Sequence, residues 1–115
     1  MRLKSALWVA AYLRRCDVEG VSAVVRRRGA EDAGAVFVRV NRLDGNSDLF
    51  GPAPQSTFEA AEGAARAFSP SFATATAPDA QVEAYLARQM QYDSDLWIVE
   101  VEDRAGRNFL DVLAV

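Results

Sequence analysis

Asp95 to Asp103 reads DLWIVEVED, and this run decides the fold. Leu96 to Val99 is apolar at every position, on both faces of the strand it forms, while Glu100 and Glu102 share one face near its end. A strand of this kind belongs in the middle of a sheet. Upstream, Pro78 and Asp79 open a helix predicted to run to about Tyr92, with Val82, Leu86 and Met90 as its buried stripe and Tyr85 alongside. Asp93-Ser94 ends that helix. Downstream, Arg104-Ala105-Gly106-Arg107 reads as a turn, and Phe109 to Val115 as a last strand or docked tail.

Further towards the N-terminus, residues 21–28 (VSAVVRRR) and 35–43 (AVFVRVNRL) are rich in β-branched residues and predict two strands. GAEDAG (29–34) has glycine at both ends and reads as the loop of a hairpin between them. Asp44-Gly45-Asn46-Ser47 is a turn leading to a short third strand, Asp48-Leu49-Phe50, which Gly51-Pro52 ends. Ser5 can cap a first helix reaching about Cys16, with Val9, Leu13 and Cys16 at i, i+4, i+7 and Trp8 and Tyr12 paired on a flank. Residues 51–78 read as a loop-rich segment followed by a fourth strand near 66–69. The capping-box pattern Ser56-x-x-Glu59 offers a short helix there as the alternative. The expected fold is α+β: an antiparallel sheet of four to six strands with two helices packed on one face, in a single domain spanning 1–115.

Composition narrows the function classes. With 115 residues, half of them hydrophobic and a quarter charged, the chain can bury a core without disulfides or metals. No apolar run approaches the roughly 20 residues that span a bilayer. Residues 5–13 (SALWVAAYL) resemble a short signal core, but Arg14-Arg15 follows at once and no small-x-small cleavage site does, so a cytoplasmic protein is expected. The one cysteine, Cys16, excludes an internal disulfide and reads as a small buried hydrophobe. There is no histidine, which removes Ser-His-Asp and Cys-His catalysis and His-ligated zinc. Neither GAEDAGAV nor LDGNSDLFG has the glycine spacing or lysine of a phosphate loop.

The segments LWVAAYLRR (7–15), GAVFVRVNRLDG (34–45) with LFGPAP (49–54), and DSDLWIVEVEDRAGRNFLD (93–111) together resemble domain-of-unknown-function family 1491 of short bacterial proteins. The resemblance covers essentially the whole chain, and its closing segment is the most specific. It implies a free-standing one-domain bacterial protein and brings no catalytic residue, substrate or cofactor.

Two charged constellations remain. Glu100, Glu102 and Asp103 could form a carboxylate site for a divalent metal in a small hydrolase, since Glu100 and Glu102 stand about 7 Å apart on one face. Equally, these acids can pair with arginines across the sheet. Arg26 and Arg28 share one face of their strand, and Arg39 joins that row if the first two strands form a hairpin. Such a row suits an acidic protein surface better than nucleic acid, because aromatics are sparse in it and the sequence pI is about 4.9. Trp8 and Tyr12 beside Arg15 would mark an interface if exposed, and core otherwise. The reading is a non-enzymatic protein-binding or adaptor module without catalytic residues or cofactors. Its binding candidates are Trp8, Tyr12, Arg15, Arg26, Arg28 and Arg39, and its partner is another protein or a second copy, not a membrane.

Overall fold

The strand at Trp97–Glu102 lies inside the sheet, as its apolar run demands, but its neighbours are the two segments expected to pair with each other. The structure, a computed structural model, describes residues 3–54 and 66–113. Its elements in chain order are α1 (Ser5–Val18), β1 (Ser22–Arg27), β2 (Val36–Asn41), β3 (Asn46–Pro52), β4 (Ala67–Pro70), β5 (Thr76–Pro78), α2 (Asp79–Tyr92), β6 (Trp97–Glu102) and β7 (Val112–Leu113). Strand order across the sheet is β1-β6-β2-β3-β4-β7, with β5 pairing β3 beside β4. The α+β class holds. The sheet is mixed, not antiparallel throughout, because β6 runs parallel to β2 and β7 parallel to β4.

The hairpin of β1 and β2 does not form, and the reason lies in GAEDAG. A Cβ on Gly29 would sit 2.1 Å from the Asp95 carbonyl oxygen, and one on Gly34 2.2 Å from the same atom. The two glycines let the loop close around the start of β6 instead of folding into a tight turn. The Ala30 N–H donates to the Asp95 carbonyl at 2.9 Å, and the Trp97 indole N–H donates to the Ala30 carbonyl at 2.8 Å. Arg27 adds a guanidinium bond to the Leu96 carbonyl at 2.7 Å. β6 is thereby inserted between β1 and β2.

The helices lie on opposite faces, correcting the expectation that both cover one. Val9, Tyr12 and Cys16 of α1 pack on Val36, Val38, Val40, Trp97, Val99 and Val101. Val82 and Leu86 of α2 pack on Phe37, Leu49, Leu96 and Ile98. β2 and β6 both carry apolar residues on both faces, so a single helical layer would leave one face wet. Burying a Val, Leu or Ile side chain contributes about 1.5–3 kcal/mol, so neither face is left uncovered. Ser5 does not cap α1 with its side chain. It lies in the first turn, fully buried, and its hydroxyl donates to the Gly34 carbonyl at 2.6 Å, tying the helix to the loop that encircles β6. The fourth strand is present as β4, whereas the alternative helix from Ser56 falls outside the described residues. No helix among the described residues is long and apolar enough to cross a membrane.

Candidate functional site

The arginine row of the sequence reading dissolves into separate environments. Arg39 is 3% exposed under the N-terminal half of α2. Its Nε donates to Ser47 Oγ at 3.1 Å, its Nη2 lies 3.1 Å from Asp79, and its Nη1 bonds Glu83 and lies 3.6 Å from Glu100. A buried guanidinium needs carboxylate partners, and the parallel register that sets Arg39 beside Glu100, with α2 above, supplies them. Arg26, exposed, bonds Glu100 from the other side and sits 3.7 Å from Glu83. Arg28 is exposed too, with its guanidinium 5.1 Å from the centre of the Trp97 ring. Arg39 is therefore an internal cation, unable to contact a partner, while Arg26 and Arg28 remain at the surface.

The three acids of the metal reading are not brought together either. Glu100 is enclosed by Arg26, Arg39 and the Asn41 amide. Glu102 is exposed at the end of β6. The Asp103 carboxylate receives the Arg107 guanidinium through both oxygens, at 2.8 and 3.1 Å, together with the Arg107 backbone N–H at 2.8 Å. These bonds from Arg107 hold its carboxyl below the ordinary carboxylate value. Among the described residues no three acidic, thiol or imidazole groups are placed to hold a metal ion.

Trp8, Tyr12 and Arg15, by contrast, do converge. They line a cleft of about 180 Å³ with Leu3, Ala11, Phe109 and Asp111. Their i, i+4 and i, i+3 spacing on α1 sets them along one flank. Trp8 stacks on Tyr12 with centroids 5.0 Å apart and planes 10° off parallel. The tail after β6 closes the other side. The Tyr12 hydroxyl donates to the Asn108 carbonyl at 2.5 Å, and the Asn108 side chain accepts the Leu110 N–H at 2.8 Å. Phe109, held between them with φ +56°, is turned onto α1, and Arg107 lies 5.3 Å from its ring centre. Arg15 and Asp111 pair at the rim with side chains 49% and 70% exposed.

Burial pushes the Tyr12 hydroxyl well above its ordinary range, so it stays a neutral donor. Cys16, one turn further along α1 and fully buried, has its thiol pushed up by the same cause, which makes it inert packing. Leu7 of α1 adds apolar surface at 57% exposure, and Leu3, which lines the cleft from just before the helix, is 45% exposed. The sequence reading missed Phe109 and Asp111. Their only local signal is Asn108, whose side chain bonds back to its own chain as asparagine does in turns.

The comparisons with known proteins agree with this architecture. A DUF1491 family protein from Caulobacter crescentus CB15, known from a crystal structure, is 34% identical, with 100% of each chain covered and a TM-score of 0.80. The solution structure of protein Atu0922 from A. tumefaciens is 40% identical over 97% of this chain and 95% of its own, with a TM-score of 0.79. Among curated proteins none matches. The family model described as "Protein of unknown function (DUF1491)" matches residues 3–111. With nearly every described residue inside that match, the chain belongs to the DUF1491 family.

Proposed function

We propose that the protein is a non-enzymatic protein-binding module that holds a partner against α1. The cleft between α1 and the tail would take an apolar side chain of the partner, and Leu3 and Leu7 would extend the contact. The observation that carries this reading is the cleft that Trp8, Arg15 and Phe109 form over the buried Tyr12, with exposed Leu7 on the same helix and exposed Leu3 just before it. Aromatics and arginine dominate the energetics of protein interfaces, and exposed leucines grouped beside an aromatic cleft mark a contact surface better than leucines scattered singly.

The same geometry supports a partner segment with an acidic group next to its apolar anchor. The Arg15–Asp111 pair is exposed and contributes less than about 1 kcal/mol, so a partner carboxylate can take over Arg15 at little cost. Arg14, exposed beside it, adds to the positive field. Selection from a displayed peptide library tests this. The wild type should enrich sequences with one large apolar residue flanked by Asp or Glu, and amide shifts on binding should cluster at Leu7, Trp8, Ala11, Arg15 and Phe109. Arg15→Glu should reverse the charge preference. Enriched peptides that bind Leu7→Asp and Trp8→Ala as well as the wild type would refute the site.

A further inference from the structure

The sheet ends on one side at β1, and its outer row of backbone N–H and C=O groups has no strand beside it among the described residues. Two large apolar side chains stand at the middle of this edge, Val24 at 53% and Val25 at 37% exposure. The ends of the strand differ in charge. Arg26, Arg27 and Arg28 stand at one end. Glu19 precedes the other, and Glu102 lies beside Ser22 in the neighbouring strand. Edge strands usually carry charge or a bulge that blocks further pairing, and the register of β1 shifts only between Val25 and Arg27. The stretch from Ser22 to Val25 is regular and open, with Arg26 at the bulge beyond it.

We propose that two copies of this chain pair through β1, antiparallel and centred on Val24, to make one continuous sheet. This inference rests on the free edge and stands apart from the α1 reading. Directly opposite residues in an antiparallel pair share a face, so a two-fold axis through the sheet must pass at a residue and not between two. Centred on Val24, the axis sets Val24 against its own copy on the α2 side and Val25 against Ala23 of the partner subunit on the α1 side. Both exposed valines gain cover. The same register brings Arg26 opposite Ser22 of the other copy. Beyond that small residue, about 10 Å away across two strand spacings, stands Glu102. At about 10 Å the two charges lie within roughly one screening length, so they attract without Arg26 leaving Glu100.

Sedimentation velocity of the full chain from micromolar to millimolar concentration tests the pairing. The wild type should form a reversible dimer that weakens with added salt. Val24→Lys places two ammonium groups face to face on the axis and should raise the dimer dissociation constant at least about tenfold. Glu102→Lys, also at an exposed position, should raise it by a smaller factor, and it carries the test alone if Val24→Lys loses the native circular-dichroism spectrum. A wild type that stays monomeric at millimolar concentration overturns the proposal. So does a dimer indifferent to these substitutions, which would be built elsewhere.

Discussion

Replacing Arg39 by Met tests whether the polar half of the α2 face is held by one buried cation. The substitution keeps the unbranched stem, though not the guanidinium's reach, and removes the charge that meets Asp79, Glu83 and Glu100. The three acids will not suffer equally. The side chains of Asp79 and Glu83 are 38% and 50% exposed and regain water, so their lost pairing costs little. Glu100 is only 12% exposed and keeps Arg26 and Asn41 as partners. Ser47 retains Asp79. Breaking a buried pair outright costs about 3–5 kcal/mol, and with Glu100 half compensated the lower end applies, about 3 kcal/mol. For a domain of this size that is a fall in Tm of roughly 10 °C. Urea denaturation followed by circular dichroism measures it directly. The double variant Arg39→Met/Glu100→Gln removes the stranded carboxylate and should recover about half the loss. A single variant within about 1 kcal/mol of wild type, or a double variant worse than the sum of the two single changes, would refute the account.

The loop after β6 offers two more tests. Gly106 has φ +77°, and a Cβ there would lie 2.3 Å from Arg42 Nη2, while Gly45 has φ +92° with nothing within 4 Å of its Cβ position. Gly45→Ala should therefore cost only the backbone penalty, about 1–2 kcal/mol. Gly106→Ala should cost visibly more, because it also pushes Arg42 away from Asp48; equal losses by thermal unfolding would show that the Arg42 contact is unimportant. Asp103 gives a pH signature. Its carboxyl lies below the ordinary 3.8 in the folded state, so the stability it contributes is present above that value and is lost as pH falls through the folded value. Asp103→Asn should lower stability at pH 7 and flatten the acid limb below about pH 4, so that the two stability curves converge in acid. Parallel curves would remove Asp103 from the acid transition.

The elements were legible in the sequence and their neighbours were not. The i, i+4 stripes of α1 and α2 and the β-branched runs are local signals, and those elements appear where their patterns place them, whereas β5 at Thr76–Pro78 falls in a stretch that reads as loop. Which strand lies beside which depends on contacts distant in sequence. Even so, one clue was present: β6 is apolar on both faces over Trp97 to Val99, which calls for cover on each face. The hairpin expected of GAEDAG places β1 and β2 together, whereas the structure puts β6 between them. At the cleft, Trp8, Tyr12 and Arg15 could be grouped because helical spacing is a local rule. Phe109 and Asp111 reach them through a tail with no regular period.

The charge pattern explains why α1 is the face left over for a partner. Residues up to 57 carry a surplus of cations and the rest a surplus of acids, a split that invites a search for an external acidic partner of the arginines. Inserting β6 between β1 and β2 satisfies much of that demand internally. Glu100 falls between Arg26 and Arg39, and α2 sets Asp79 and Glu83 on the same guanidinium group. Arg42 takes Asp48 at 2.9 and 3.0 Å, and Arg107 takes Asp103. A cation already holding buried carboxylates gains little from a new partner, since binding must first break what it has. Arg14 and Arg15 escape this fate because α1 lies across the opposite face of the sheet from Asp79, Glu83 and Glu100. Among the described residues Arg15 pairs with Asp111, on the exposed tail. The topology that consumes the arginines on the α2 side thus leaves cations, aromatics and bare leucines together on the α1 side.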